Sequence, residues 1–289
     1  MKRFIKFICM GLVAVLSSAV CLSLVACEDI KTLSVNVSIY DKESSKNVEQ
    51  TIEIDLYRHL APDTVDAILS YVEQGYYNDL LFYKNADSEN YASQIMVGDY
   101  ALLDGKITEY TKDYVNKIDG EFEKAGVTGS NLTNVKGAVG LWRSWENGDS
   151  YKQNGSNSYN SGKATWYMPT DNLSGYDGYF CVFGQIDLND EDNSSALSNL
   201  IALFGDSDLY TTYVSYYLGS DAENLTLVIE PLDDYNQKIE DGVLEEADVY
   251  SPKDDEMNYL AKREFNLPVA TINDVENTVT AKIVSVVID

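Results

Sequence analysis

The residues able to do covalent or metal chemistry are few. One histidine, His59, and four cysteines serve a chain of 289 residues, which leaves no room for a histidine-based triad or a histidine-rich metal centre. His59 precedes Leu60-Ala61-Pro62 and reads as an exposed turn residue with no role. Cys181 sits inside the apolar run Tyr179-Phe180-Cys181-Val182-Phe183, the setting of a small buried hydrophobe rather than a nucleophile. The acidic stretch Asp187–Asn193 offers oxygen atoms at alternate positions. It lacks the turn glycine of a calcium loop, and Ser198 stands where a bidentate glutamate belongs. Negative charge leading into a helix is the simpler account, and neither a metal nor a cofactor is expected. Aromatic side chains, by contrast, are abundant, with 22 Tyr, 8 Phe and 3 Trp. The chemistry on offer is non-covalent: apolar and aromatic surfaces that grip a ligand.

Charge narrows the partners. Twenty-one Lys+Arg against 47 Asp+Glu give a net charge of −26, which repels phosphate backbones, and no basic patch offsets it, so nucleic acid is excluded as a partner. The first 27 residues run from Lys2, Arg3 and Lys6 through the apolar run 7–26 to Leu24-Val25-Ala26-Cys27. That ending resembles the lipobox of bacterial lipoproteins. It implies a signal peptide over 1–26, a lipid on Cys27, a tether over 27–31, and attachment to the outer face of a cell membrane. A plain secretory signal or an uncleaved spanning helix are the competing readings. With Cys9 and Cys21 lost in the signal and Cys27 acylated, Cys181 remains alone and no intrachain disulfide forms.

The elements that must hold any ligand surface follow from periodicity. Residues 32–40 alternate (Leu33, Val35, Val37, Ile39), and Ile52, Ile54 and Leu56 answer them across a polar turn, which predicts a hairpin. Ala61-Pro62-Asp63-Thr64 opens a helix, with Val65, Ile68, Leu69 and Val72 on one face and Gly75 at its end. Strand-like runs recur at 80–83, 94–97, 138–142, 165–168, 180–186 and 278–288. Many short strands with one early helix predict a mainly β fold, a closed β-barrel capped by helices. Inserted helical and loop segments fall at about 100–119, 146–163 and 190–277 of a single domain over 32–289. Within them, Asn147–Gly162 reads as a mobile loop, Ser194–Phe204 as a helix, Leu209–Leu218 as ambiguous, Glu223–Ile229 as a strand and Asp254–Lys262 as a helix.

Several blocks, in order, resemble the cyclophilins, a family of peptidyl-prolyl cis-trans isomerases. They are Ile52-Glu53-Ile54-Asp55-Leu56-Tyr57, Ala61-Pro62-Asp63-Thr64-Val65, Gly75-Tyr76-Tyr77 with Phe82, Val97-Gly98-Asp99, Gly120-Glu121-Phe122, Lys136-Gly137-Ala138-Val139, and Val182-Phe183-Gly184. The resemblance covers roughly 35–186 and the closing strand, 283–288. It implies a cyclophilin-like barrel that turns X-Pro bonds without a cofactor. The amide resonance barrier is about 18–20 kcal/mol, and a catalyst need only stabilise the twisted state.

Carried over residue by residue, the resemblance implies a depleted site. Phe82-Tyr83-Lys84 stands for Phe-His-Arg, so Lys84 takes the place of the catalytic arginine without its planar fork of donors. Met96 falls where a catalytic glutamine is expected, although a two-residue gap would match Ile95-Met96 to Phe-Met instead. Tyr167 becomes the aromatic floor, Tyr176 replaces a pocket leucine and Phe180 a pocket histidine, with Tyr83 and Trp142 also lining the pocket. The expectation is a slow isomerase, acting as a monomer on proline-containing peptides or unfolded secreted proteins. The alternative is a non-catalytic surface lipoprotein that binds peptide or another ligand on the same scaffold.

Overall fold

The computed structural model describes residues 31–86, 93–127, 132–144, 156–220, 224–251 and 261–289. The opening hairpin pairs β1 (Lys31–Asp41) with β2 (Lys46–Leu56) in antiparallel register along its whole length. Its inward residues Val35, Val37, Ile52 and Ile54 are buried in one core with Val65 and Ile68 of helix α1 (Pro62–Glu73). Six further strands complete the wall: β3 (Leu80–Asn85), β4 (Gln94–Leu103), β6 (Ala138–Leu141), β7 (Trp166–Pro169), β8 (Cys181–Gln185) and β14 (Ala281–Ile288). The order β3-β14-β1-β2-β8-β6-β7-β4 closes on itself through the β3–β4 pairing. The result is a closed eight-stranded antiparallel barrel, mainly β and helix-capped, as the periodicity predicts.

Alternation along each wall strand decides what lies inside. Phe82, Ile95, Val97, Trp166 and Met168 belong to the interior core, whereas Leu81, Tyr83, Met96, Tyr100 and Tyr167 join a second cluster on the outer wall. Two extensions then lean over that outer wall. β4 continues through an Asp104-Gly105 turn with both φ angles positive, the pattern of a two-residue hairpin loop, into β5 (Lys106–Glu109). On the other side β11 (Arg263–Leu267) pairs with the end of β3, and β9 (Thr211–Leu218) and β10 (Thr226–Pro231) follow outward. A helix, α4 (Leu232–Glu240), packs Tyr235 against Val214 and Tyr216 of that extension. Elsewhere on the barrel, α3 (Glu191–Leu203) packs on β2.

Some local expectations change in the structure. The ambiguous Tyr-rich run is strand β9. The strand expected over 278–288 is two strands, β13 (Val275–Val279) and β14, broken at Thr280, whose N–H bonds to Pro268 O at 2.8 Å and whose hydroxyl bonds to Leu209 O at 2.5 Å. The end of the expected loop 147–162 is ordered: a single turn of helix, α2 (Ser156–Tyr159), leaves Ser158 buried. The rest of that loop, and most of the helix expected over 254–262, lie outside the described residues. Asp190 caps α3 by accepting the Asn193 N–H at 2.9 Å, which is what the acidic stretch does here. Among the described residues no group of His, Cys, Asp or Glu is arranged to hold a metal, and no helix is long and apolar enough to cross a membrane.

Candidate functional site

Cross-strand register lines up one row of outer-wall side chains. Tyr83 on β3 stands opposite Met96 on β4, Met96 opposite Tyr167 on β7, and Tyr167 opposite Gly140 on β6. The last position must be glycine: a Cβ there would lie 2.4 Å from the Tyr167 ring, so the ring lies down over bare backbone. Tyr167 is fully buried and its hydroxyl donates to Asn134 Oδ1 at 2.5 Å. Asn134, itself without solvent contact, takes Asp177 Oδ1 as acceptor for both its backbone N–H (2.8 Å) and its side-chain amide (3.0 Å). Its carbonyl accepts the Leu173 N–H at 2.7 Å. This network moors the floor of the row to the segment that carries Tyr176 and Phe180.

Those two rings build the side wall. Tyr176 and Phe180 stack at 4.5 Å between centroids, and Trp142 stacks on Phe180 at 5.4 Å. Tyr167 meets all three edge-on at 5.9 to 6.0 Å. Such offset and edge contacts are the favourable aromatic geometries, each worth about 0.5–1.5 kcal/mol beyond area burial. The stack is dense: Tyr176 and Phe180 are 3% and 2% exposed, and only Trp142 keeps partial exposure. Behind it lies Arg143, which sequence reasoning missed. Its guanidinium sits 4.7 Å over the Phe180 ring, donates to Tyr179 O at 2.9 Å and Ser158 Oγ at 3.0 Å, and is buried. Every one of those donations fixes the wall; none points outward.

The opposite end of the row is covered by the extension. Phe265 of β11 stacks on Tyr100 at 4.5 Å and meets Tyr83 edge-on at 6.1 Å. The Tyr83 hydroxyl donates to Asp99 Oδ2, and Thr165 donates to Asp99 Oδ1 at 2.5 Å. Burial first, and the Asp99 charge second, push the Tyr83 hydroxyl far above its ordinary pKa. Arg263 joins this end: burial works against its charge, but Tyr100, Tyr83, Asp99 and Glu109 outweigh that and hold it protonated.

The structure therefore brings together Tyr83, Met96, Trp142, Tyr167, Tyr176 and Phe180. Lys84 is not among them. Alternation sets it on the face of Phe82, and its backbone pairs with Asn266 of β11. Partial burial lowers its pKa, with no neighbouring charge contributing. Cys181 is buried 3.5 Å from Thr64 Oγ1, and His59 is exposed in a turn against Tyr57. Cys27 lies outside the described residues.

With this geometry in place, comparison with known proteins is specific about class. The family model for cyclophilin type peptidyl-prolyl cis-trans isomerase/CLD matches residues 43–200. That is more than half of the chain, and the protein belongs to this family. Among solved structures, the Cryptosporidium parvum cyclophilin type peptidyl-prolyl cis-trans isomerase in the presence of the dipeptide Ala-Pro is 18% identical. That match covers 57% of this chain and 85% of that one, with a TM-score of 0.35. A second structure of that Cryptosporidium parvum enzyme is 16% identical over 68% of this chain and 98% of that one, with a TM-score of 0.36. No curated protein matches the chain.

Proposed function

We propose that the protein binds X-Pro segments on the outer wall of its barrel and isomerises them slowly. In this reading it is held by a lipid on Cys27 at the extracytoplasmic face of the membrane and assists the folding of secreted or surface chains. The observation that carries the reading is the row Tyr83–Met96–Tyr167 with its Tyr176–Phe180–Trp142 side wall. It is an aromatic and thioether cluster, buried in this structure, whose faces suit a pyrrolidine ring once the side wall parts, in a family of prolyl isomerases. Slow turnover follows from the donors. Weakening amide resonance takes a cation or N–H aimed at the twisting bond. The Arg143 guanidinium donates to Tyr179 O and Ser158 Oγ behind the wall, and Lys84 falls by alternation on the face of Phe82, away from the row. A second reading, binding without turnover, is favoured by the ring stack itself, because a proline must part Trp142 from Phe180 before it can enter. Exchange spectroscopy on an X-Pro tetrapeptide separates the two. Cis–trans exchange above the uncatalysed rate supports the isomerase, and binding seen by calorimetry without exchange supports the second reading. Absence of both sinks the peptide site altogether. Turnover unchanged in Lys84→Ala would remove that residue from the mechanism.

A further inference from the structure

Beside the apolar row lies a polar one whose hydrogen-bonding capacity is unspent. Gln94 stands two places before Met96 on β4, on the same outer face, and has no solvent exposure. Among the described residues its Nε2 reaches only the Met96 Sδ, at 4.0 Å, and its Oε1 is buried with no hydrogen-bond partner. Asn85, two places beyond Tyr83, sends its Nδ2 to the same sulfur at 3.8 Å. Continuing the Tyr83–Met96 register by two places sets Asn85 opposite Gln94, and Gln94 in turn pairs with Pro169 of β7. A thioether is a weak acceptor, so two amide donors and one amide acceptor are nearly idle at the edge of the aromatic floor. A buried carbonyl oxygen with nothing to accept is destabilising, and a leucine or methionine would fill the same space without that cost. The glutamine is intelligible if something else completes it.

We infer that Gln94, with Asn85 beside it, is a main-chain clamp for the peptide that lies on this wall. The inference rests on the reading of the wall as an X-Pro site. Gln94 Oε1 accepts an N–H of the ligand backbone and Nε2 donates to a carbonyl, the two-point pairing of one amide with another. Proline has no N–H to give, so the clamped amide belongs to a neighbouring residue. Positions two apart on a strand are separated by about 6.8 Å, and an extended peptide advances by the same amount in two residues. With the pyrrolidine over Met96 and Tyr167, the clamp therefore meets the main chain about two residues away. The ligand class is an extended peptide that continues past its proline, rather than an isolated prolyl unit. Asn85 is partly exposed, whereas Gln94, Met96 and Tyr167 are not, so the peptide reaches the clamp by parting the side chains above them.

Calorimetry with two probes, an X-Pro tetrapeptide and the dipeptide Ala-Pro, tests this in the wild type, Gln94→Met and Asn85→Leu. Gln94→Met is expected to bind the tetrapeptide at least five-fold more weakly and the dipeptide unchanged, with a melting temperature equal to or above that of the wild type. Asn85→Leu, at a partly exposed position, is expected to shift in the same direction by a smaller factor. Tetrapeptide affinity unchanged in both variants overturns the clamp while leaving the X-Pro site standing. So does a fall in melting temperature with both probes weakened in parallel, which marks a merely structural glutamine. A wild type that binds neither probe brings down the proposed function and the clamp together.

Discussion

Replacing Tyr167 with phenylalanine deletes one oxygen and leaves the floor of the site otherwise intact. Its hydroxyl is the sole donor to Asn134 Oδ1 among the described residues, at 2.5 Å, in a place where neither residue touches solvent. Phenylalanine keeps the ring over Gly140 and its edge contacts with Tyr176 and Phe180, so packing contributes little to the change. What remains is an amide oxygen stranded in the interior, which costs about 1–3 kcal/mol. For a chain of this size that corresponds to a fall in melting temperature of roughly 2–12 °C, at about 2–4 °C per kcal/mol. Urea unfolding checks it directly: the midpoint drops while the slope with denaturant holds, because the surface exposed on unfolding is the same. Combining Tyr167→Phe with Asn134→Leu should recover about 1 kcal/mol or more of coupling, since the leucine has no carbonyl to strand. A loss below about 0.5 kcal/mol in the single variant refutes the reasoning, for it means that the oxygen is satisfied from elsewhere and the network does not moor the floor.

Two further outcomes follow from neighbouring parts of the structure. Pro62 opens α1 and has no N–H, so the unspent donors of the first turn are those of Asp63 and Thr64, and both go to the Glu121 carboxylate, at 3.0 and 2.7 Å. Because Thr64 is buried and cannot turn to water, Glu121→Ala should cost about 2–4 kcal/mol in thermal unfolding, and Glu121→Gln about half of that; a Gln variant as stable as wild type would argue against the charge. Burial pushes the Cys181 thiol up to about 12 from 9.0, so folding favours the protonated form. That contribution is complete below pH 9 and is lost as pH rises from there to about 12. Iodoacetamide at pH 8 should therefore alkylate Cys181 only after denaturation, and mass spectrometry showing equal labelling of native and unfolded protein would overturn this.

The barrel was legible because its signals are local. The hairpin's two-residue alternation, the Ala-Pro-Asp-Thr opening of α1 and the four-residue apolar runs each need only their own neighbours in sequence. Family resemblance singles out Tyr83, Met96 and Tyr167, and the structure sets them side by side on neighbouring strands. What stayed hidden depends on cross-strand geometry. The register of β3 against β4 shifts by two residues between Leu81 and Tyr83, and that irregularity sets Tyr83 opposite Met96 rather than Gly98. Glu121 caps a helix 57 residues before it in sequence, a pairing that no local pattern announces. Arg143 and Gln94 look like ordinary surface residues in a polar loop and at a strand start. Only the packing of Tyr159, Phe122 and Phe180 around the first, and of Met96 and Pro169 beside the second, gives them an interior address.

Strands β9 to β11 bear on how the outer wall is covered. Without β9 to β11, the Tyr83 end of the row would stand in solvent. With them, Phe265 lies flat on Tyr100 and Arg263 lodges beside Asp99, so that end is roofed by the chain itself. Apolar stacking and a cation held among tyrosines and carboxylates make the roof a packed layer rather than a loose flap. Trp142 over the ring stack and Asn85 beside Gln94 are partly exposed. In the proposed reading a peptide spanning the two lies along Tyr167 and Met96, which have no solvent exposure here, so it reaches the amide of Gln94 only where the side chains over that row part.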